Sequence, residues 1–186
     1  IGYVTAKALL DQDAIVHIVG RNIDKIGEAD NLIKHKVDIS QKEEVDQFIT
    51  KIGALDSIDC LVNASGMFSP KSFLEHTVED YDAYLNLNRG FFFITQAVSN
   101  KMKETNGGSI VNIGSMWAKQ AVKATPSSAY AMQKAGLHAL TQHLAMELAD
   151  YNIRVNAVSP AVVNTPVYHA VFGGEVEAEQ ALEGFH

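Results

Sequence analysis

Two side chains of the sequence are spaced so that together they could move a proton. Tyr130 and Lys134 fall four residues apart in segment 128–151, whose pattern predicts a helix, and residues four apart share one helix face. An ammonium beside a phenol favours the phenolate, so Lys134 is expected to lower the pKa of Tyr130 from about 10. Such a phenol donates or accepts a proton at a carbonyl oxygen. The pair alone is not specific, because tyrosine and lysine often share this spacing on a solvated helix face.

Polar residues also lie at the ends of two apolar runs whose pattern predicts strands. Ser115 follows the run 109–113, and Asn63 ends the run 58–63 and is followed by Ala64. The carboxyl end of a parallel strand is where open α/β sheets bind ligands. A serine there can donate a hydrogen bond to a substrate oxygen as negative charge develops on it.

The elements that must hold these residues alternate along the chain. The predicted strands and helices are strands 14–19, 35–38, 58–63, 109–113 and 153–158 and helices 3–11, 42–52, 78–103 and 128–151. Strands spaced by helices imply right-handed crossovers and a parallel sheet covered on both faces. We therefore expect one α/β domain over residues 1–186, a Rossmann-like doubly wound sheet in three α/β/α layers.

Composition excludes several classes of partner. With 15 basic and 22 acidic side chains the net charge is −7, which gives no general attraction to nucleic acid. The sequence has no apolar run near the ~20 residues of a membrane span. No His/Cys/Asp cluster has the spacing of metal ligands, so no catalytic metal is expected. Cys60, the only cysteine, fits a reducing, cytoplasmic setting and is expected to lie buried in a strand.

In this order and spacing the motifs resemble the classical short-chain dehydrogenase/reductase family. The match consists of Asn-Ala-x-Gly at 63–66, Ser115, Tyr-x-x-x-Lys at 130–134 and the stretch 153–165, IRVNAVSPAVVNT, and covers essentially the whole chain. The resemblance implies an NAD(P)(H)-dependent oxidoreductase that interconverts an alcohol and a carbonyl by hydride transfer. A dinucleotide-binding sensor or scaffold that kept the fold without the chemistry is the alternative. An epimerase or dehydratase of the extended relatives is a third, disfavoured by the Asn-Ala-x-Gly motif.

The resemblance assigns the catalytic roles. Ser115 would orient and polarise the substrate, and Tyr130 would be the general acid in reduction and the base in oxidation. Lys134 would lower the tyrosine pKa and hold the nicotinamide ribose. The family's relay asparagine is Asn88 when residues are counted forward from Tyr81 and Asn86 when they are counted back from Phe91; we favour Asn88.

The cofactor residues also follow from the resemblance. Gly2 matches the last glycine of the pyrophosphate turn, Asp38 the acid that contacts adenine, and Val163 and Thr165 the segment beside the nicotinamide carboxamide. Asn63 and Ala64 would lie beside the cofactor, although strand stabilisation is an equally good role for Asn63. Pro160 is followed by Ala161 where the family usually has glycine. The Cβ of alanine restricts the backbone at this position.

Arg21 bears on the choice of cofactor. It follows Gly20, where an acid would favour NAD. A guanidinium pairs with a 2′-phosphate, so NADP(H) is favoured over NAD(H), unless Arg21 merely stacks on adenine and accepts either.

Three further expectations concern the boundaries of the site and of the chain. The substrate space is expected to be mostly apolar, for an uncharged carbonyl or alcohol, and lined by Met67, Phe68, Met116, Trp117, Tyr168, His169 and Phe172. The resemblance places another strand before residue 1, between strands 14–19 and 58–63, and a helix and strand after residue 186, so the sequence is expected to be incomplete at both ends. It also implies a homo-dimer or homo-tetramer formed through the two long helices.

Overall fold

The computed structural model describes residues 1–123, 125–163, 165, 173–174, 176–177 and 180. Its α-helices and strands alternate along most of the chain, as expected of an α/β protein. The helices are α1 Gly2–Leu10, α2 Lys42–Gly53, α3 Val78–Glu104 and α4 Ser128–Glu147, and the strands are β1 Val16–Gly20, β2 Leu32–Lys36, β3 Cys60–Asn63, β4 Gly108–Ile113 and β5 Ile153–Val158. Short 3₁₀ helices lie at Ile23–Lys25, Phe73–Glu75, Met116–Ala118 and Ala149–Tyr151.

The strands pair in parallel throughout. β1 pairs with β2, and β3, β4 and β5 form a second group in that order. β1 and β3 are not joined by backbone hydrogen bonds, and it is between these two strands that the resemblance places a further strand. In the second group Asn63 of β3 is the register partner of Asn112 of β4. All strand pairs are parallel, as expected for the doubly wound fold. α3 links β3 to β4 and α4 links β4 to β5, whereas a loop with one 3₁₀ turn joins β1 to β2.

Three helices share a layer beside the strands. α3 packs against both α2 and α4, and its buried face presents Phe91, Ile94 and Val98 to the core. Gly90 allows α3 to approach the segment after β2, because a Cβ there would lie 2.0 Å from the carbonyl oxygen of Ile39. The close packing of α3 against the segment after β2 therefore requires glycine at position 90.

The boundaries of α3 follow from local chemistry. The hydroxyl of Thr77 accepts a hydrogen bond from the Asp80 backbone N–H at 3.3 Å, and the Asp80 carboxylate accepts from the Thr77 backbone N–H at 2.9 Å. This reciprocal pair is a capping box, which satisfies two donors at the start of a helix. Beyond the other end Gly107 has a φ of +86° and packs against Asn152, so the turn into β4 requires glycine.

Two expectations about the elements need correction. β2 spans Leu32–Lys36 rather than 35–38, because its pairing with β1 begins at Val16 and Leu32; Asp38 therefore lies beyond the strand. α4 ends at Glu147 and is continued to Tyr151 only by a 3₁₀ turn.

Cys60 was expected to be buried and is exposed. It begins β3, which is an edge strand of its group, so one side of this residue has no neighbouring strand to cover it. In the part of the chain that the structure describes, no helix combines the length and the apolar character needed to cross a membrane.

Candidate active site

A cavity of about 270 Å³ opens where β3, β4 and β5 end. Its wall comes from the loops after these strands, from one face of α4 and from the first residue of the chain. The lining residues are Ile1, Ala64, Ser65, Gly66, Met67, Phe68, Ile113, Gly114, Ser115, Trp117, Tyr130, Lys134, Pro160, Ala161, Val163 and Thr165. The cavity thus lies at the strand ends, where ligands bind in open α/β sheets.

Ser115 and Tyr130 meet inside this cavity. Ser115 is 3% exposed, and the hydrogen-bonding influence of its side chain lowers the pKa of Tyr130. Burial has the larger and opposite effect, so the net pKa of Tyr130 is raised above its usual value. The Ser115 oxygen also accepts a hydrogen bond from the Trp117 backbone N–H at 3.3 Å, which orients the serine at the start of the 3₁₀ turn.

Lys134 lies close to the tyrosine but does not lower its pKa as expected. Its Nζ is 5.9 Å from the centroid of the Tyr130 ring and donates a hydrogen bond to the backbone oxygen of Ile113 at 2.8 Å. The lysine is 4% exposed, and burial lowers its pKa to about 8. The expected lowering fails because burial, the largest influence on Tyr130, raises the pKa of the phenol.

Aromatic rings surround the tyrosine. The Phe68 ring meets the Tyr130 ring edge-on with centroids 4.9 Å apart, and lies 5.8 Å from the Trp117 ring. Of the expected substrate residues, Met67, Phe68 and Trp117 line the cavity, whereas Met116 is not part of its lining, because it begins the 3₁₀ turn whose second residue, Trp117, faces the cavity. Tyr168, His169 and Phe172 lie outside the described residues.

Asn88 contacts the helix that carries the tyrosine and lysine. Its Nδ2 donates a hydrogen bond to the backbone oxygen of Gln133 at 3.3 Å, and Gln133 precedes Lys134 on α4. This contact favours Asn88 over Asn86 for the relay position. The relay role itself stays a prediction.

The side chain of Asn63 belongs to a buried network rather than to the cavity wall. Its Nδ2 donates to Thr95 Oγ1 at 2.9 Å and to Asn112 Oδ1 at 2.8 Å, and Asn112 in turn donates to Thr141 Oγ1 at 2.8 Å. The neighbouring Ala64 lines the cavity instead. Of the two roles considered for Asn63, strand stabilisation is the one that its contacts support.

The cofactor residues fall into two groups. Gly2 lies beside Ala64, since a Cβ on Gly2 would be 3.2 Å from the Ala64 Cβ; Pro160, Val163 and Thr165 line the cavity. Gly2 has no side chain and so leaves its backbone accessible to the phosphates of a dinucleotide. The buried ammonium of Lys134 can donate hydrogen bonds to the ribose hydroxyls. The residues present therefore fit such a group.

Arg21 and Asp38 form the second group and contact each other. Arg21 Nη1 lies 3.8 Å from Asp38 Oδ2, and the arginine side chain is 67% exposed. Asp38 Oδ1 accepts hydrogen bonds from the Ser40 backbone N–H and hydroxyl at 3.0 and 2.7 Å. Burial raises the pKa of Asp38, but the Ser40 hydrogen bonds and Arg21 outweigh it and lower the pKa. The carboxylate is therefore charged and held in place.

One residue beside the site was missed from the sequence. His138 Nε2 lies 2.9 Å from Ser159 Oγ, and a Cβ on Gly114 would lie 2.6 Å from the same nitrogen. The signal was available, because His138 follows Lys134 by four residues and shares its helix face. It ties α4 to the ends of β4 and β5.

Comparison with known proteins agrees with this geometry. Residues 1–175 match the sequence model of the short chain dehydrogenase family. The chain is 32% identical over 178 residues to an uncharacterized oxidoreductase of Staphylococcus saprophyticus, covering 90% of this chain and 75% of that protein. It is 31% identical over 194 residues to the 2,3-dihydro-2,3-dihydroxybenzoate dehydrogenase of Bacillus subtilis, covering 99% and 74%.

A solved structure shows the same likeness in three dimensions. The 4-hydroxyisoleucine dehydrogenase complexed with NADH superposes with a TM-score of 0.84 at 26% identity, covering 96% of this chain and 76% of that one. Family match, relatives and fold agree with the expectation from the motifs. The chain therefore belongs to the short-chain dehydrogenase family of oxidoreductases.

Proposed function

We propose that this protein interconverts an alcohol and a carbonyl with a nicotinamide cofactor, with Tyr130 as the general acid in reduction and the base in oxidation. The observation that carries the proposal is that Ser115 and Tyr130 line the same cavity, where the serine side chain is close enough to the phenol to lower its pKa. Two neighbouring hydroxyls that line one cavity can donate together to a single substrate oxygen. When bound, the cofactor supplies or accepts the hydride.

The pKa directions support proton transfer in the reductive sense. Because burial raises the pKa of Tyr130, the phenol carries its proton at neutral pH and is ready to donate it. Lys134, with a pKa of about 8, can exchange a proton near neutrality and would restore the one that Tyr130 loses. Asn88 would hold the far end of this relay through its contact with α4.

The remaining cofactor contacts follow the two groups of residues. Lys134 would bind the nicotinamide ribose, since an ammonium has three donors and one is directed at Ile113. Pro160, Val163 and Thr165 would contact the carboxamide end. Gly2 and Ala64 would give backbone access to the pyrophosphate, and Asp38 would contact adenine.

Arg21 supports NADP(H) over NAD(H). The arginine is mostly exposed, and its pairing with Asp38 spans 3.8 Å; exposed pairs of this kind stabilise by only about 0–1 kcal/mol. The guanidinium can therefore turn to a 2′-phosphate at little cost.

The wall of the cavity favours an uncharged substrate. Among the described lining residues Lys134 has the only charged side chain, and the wall near Tyr130 is formed by Phe68 and Trp117. Because this proposal gives the free donors of Lys134 to the nicotinamide ribose, an ionised substrate would lose its hydration there without a partner of opposite charge. We also propose, from the resemblance, that the protein is a cytoplasmic homo-dimer or homo-tetramer assembled through α3 and α4.

The experiment is a panel of uncharged ketones and aldehydes offered with NADPH and with NADH, followed by absorbance of the reduced cofactor. Turnover of at least one carbonyl, with a higher kcat/KM for NADPH, is expected. Cofactor binding by calorimetry without turnover of any panel member would favour a sensor or scaffold instead.

A further inference from the structure

Trp117 is held at the cavity wall by two hydrogen bonds, one from its backbone and one from its side chain. Its backbone N–H donates to the Ser115 hydroxyl oxygen at 3.3 Å, and its indole Nε1–H donates to the Thr125 hydroxyl oxygen at 2.8 Å. Trp117 and Thr125 are each 6% exposed. Thr125 has no part in the proposed chemistry and is not among the described residues that line the cavity.

Burial makes the indole hydrogen bond important for the orientation of the ring. An indole N–H can only donate, and a buried donor left without a partner costs more free energy than the bond contributes. Thr125 is itself held in place, because its backbone N–H donates to the Val122 oxygen at 3.1 Å and its backbone oxygen accepts from the Ser127 hydroxyl at 2.9 Å. The rotation of the Trp117 ring therefore follows the position of Thr125.

Thr125 lies between the parts of the chain that form the site. It comes shortly before Ser128, the first residue of α4, which carries Tyr130. The oxygen of the neighbouring Pro126 accepts a hydrogen bond from the Lys71 backbone N–H at 2.9 Å, so the same segment is also joined to the loop after β3. These contacts make Thr125 a fixed acceptor for a ring on the other side of the cavity wall.

The Trp117 ring borders the space in front of the reacting groups. Trp117 lines the cavity together with Ser115 and Tyr130, and its ring lies 5.8 Å from the Phe68 ring at an interplanar angle of 52°. A rigid apolar surface beside the substrate oxygen limits the width of the groups on the carbonyl carbon, because such pockets discriminate by shape. Rotation of the indole would change the shape of the cavity without adding a charge.

We propose that Thr125 is a positioning residue whose hydroxyl fixes the rotation of the Trp117 indole, and that the indole held in this way limits the width of the carbonyl substrate. The inference rests on the proposed function for its kinetic consequence. Without the hydroxyl the indole N–H turns towards water or another acceptor, and the ring leaves the orientation in which it bounds the cavity. The change removes no contact of Tyr130 or Lys134, so the rate of proton transfer is expected to stay the same.

The kinetic test compares Thr125→Val, which keeps the shape of the side chain without the hydroxyl, with Thr125→Ser, which keeps the oxygen. The probes are butanone and acetophenone, a narrow and a wide uncharged ketone, each offered with NADPH and with NADH. In Thr125→Val the ratio of the two KM values should shift about three- to tenfold in favour of acetophenone. The kcat for butanone and the cofactor KM should stay within about twofold.

Two controls separate the hydroxyl from a general loss of stability. Thr125→Ser should restore the wild-type KM ratio within about twofold, and Thr50→Val, at an exposed position of α2, should leave it unchanged. In a Trp117→Phe background Thr125→Val should add no further shift, because both changes remove the same hydrogen bond. An unchanged ratio in Thr125→Val, additive shifts, or an equal fall in kcat for both ketones would overturn the proposal.

A second measurement needs neither cofactor nor turnover. Trp117 is the only tryptophan of the sequence, so a nitrogen–proton correlation spectrum contains a single indole N–H signal. Burial and the hydrogen bond to Thr125 predict slow exchange of this proton with solvent. Thr125→Val should accelerate the exchange at least about tenfold well below the melting temperature, whereas Thr125→Ser and Thr50→Val should leave it within about twofold.

The two measurements distinguish the positioning role from the proposed function. Faster indole exchange in Thr125→Val, with a wild type that reduces no carbonyl, would refute the proposed function while the positioning of Trp117 by Thr125 stands. Unchanged exchange in Thr125→Val would refute the positioning role whatever the kinetics show. If Thr125→Val does not fold, Trp117→Phe takes its place in the kinetic test, and an unchanged KM ratio there would overturn the role of the indole in substrate width.

Discussion

Asn63 donates a hydrogen bond to the side-chain oxygen of Asn112 at 2.8 Å, and the two asparagines are also register partners in β3 and β4. Asn112 is fully buried and passes the contact on to Thr141 of α4. The network therefore joins the two strand ends and the helix that carries Tyr130. It holds the ends of β3 and β4 and the helix α4 together beside the cavity.

Asn112→Leu should remove the hydrogen bonds that Asn112 forms with Asn63 and Thr141. The change leaves the buried amide of Asn63 and the hydroxyl of Thr141 without one partner each, so the free energy of unfolding should fall by about 2–4 kcal/mol. Urea denaturation measures it, with Asn106→Leu, at an exposed position, as the control. A loss equal to that of the control would mean that water replaces the missing contacts.

Lys134→Met should stabilise the protein while abolishing activity. The fall of the lysine pKa from 10.5 to about 8 corresponds to about 3 kcal/mol of unfavourable burial below pH 8. Loss of the hydrogen bond to Ile113 offsets part of the gain, so the free energy of unfolding should rise by about 1–2 kcal/mol at pH 7. Destabilisation at that pH would contradict the prediction.

The same lysine predicts a pH dependence of stability. Its pKa is lower in the folded than in the unfolded protein, so above pH 8 the unfolded state binds more protons and stability should rise with pH. The pH range in which Lys134 alone determines this rise ends at about pH 9.5, where tyrosines begin to ionise. Denaturation of wild type and Lys134→Met between these limits should show the rise in the wild type alone; parallel curves would contradict the assignment.

Arg21→Ala should separate the two cofactors. Removal of the guanidinium should raise KM for NADPH about tenfold and leave KM for NADH within about twofold, because only the 2′-phosphate loses a charged partner. Steady-state kinetics with both cofactors measures it, and Lys25→Ala, a nearby exposed cation, is the control. Equal effects on both cofactors would indicate that Arg21 stacks on adenine.

Exposed phenylalanines on α3 should contribute to assembly. Phe92 and Phe93 are 46% and 44% exposed and their rings meet edge-on with centroids 5.3 Å apart, whereas Phe91 is buried in the core. Replacement of both by serine should lower the mass measured by light scattering, because apolar area drives association. Phe73→Ser, at an exposed position in the short 3₁₀ helix before α3, is the control; an unchanged mass in the double variant would place the interface elsewhere.

The local sequence pattern predicted the bounds of an element well where neighbouring residues alone determine them. β5 spans residues 153–158 as predicted, because its β-branched run is bounded by Asn152 in the left-handed conformation and by Pro160. β2 was placed three residues late, since its start depends on pairing with β1 and not on its own composition. Cys60 was expected to be buried and is exposed, because β3 pairs on one side only, with β4.

The candidate site was predictable to the extent that its residues share a helix face or a strand end. Tyr130, Lys134 and Ser115 meet the cavity as their spacing predicted. The upward shift of the Tyr130 pKa was not predictable, because it depends on how deeply the fold buries the ring. Trp117 and Thr125 lie 8 residues apart, and no local period of helix or strand brings them together.

The Tyr130→Phe variant tests most directly whether Tyr130 moves the proton. The variant keeps the ring and its contacts with Phe68 and Tyr84 but lacks the hydroxyl whose pKa Ser115 lowers. With Tyr3→Phe, an exposed tyrosine, as control, kcat for carbonyl reduction should fall by about 10²–10⁴-fold while the cofactor Kd stays within about twofold. A Tyr130→Phe protein that turns over at the wild-type rate would contradict the account.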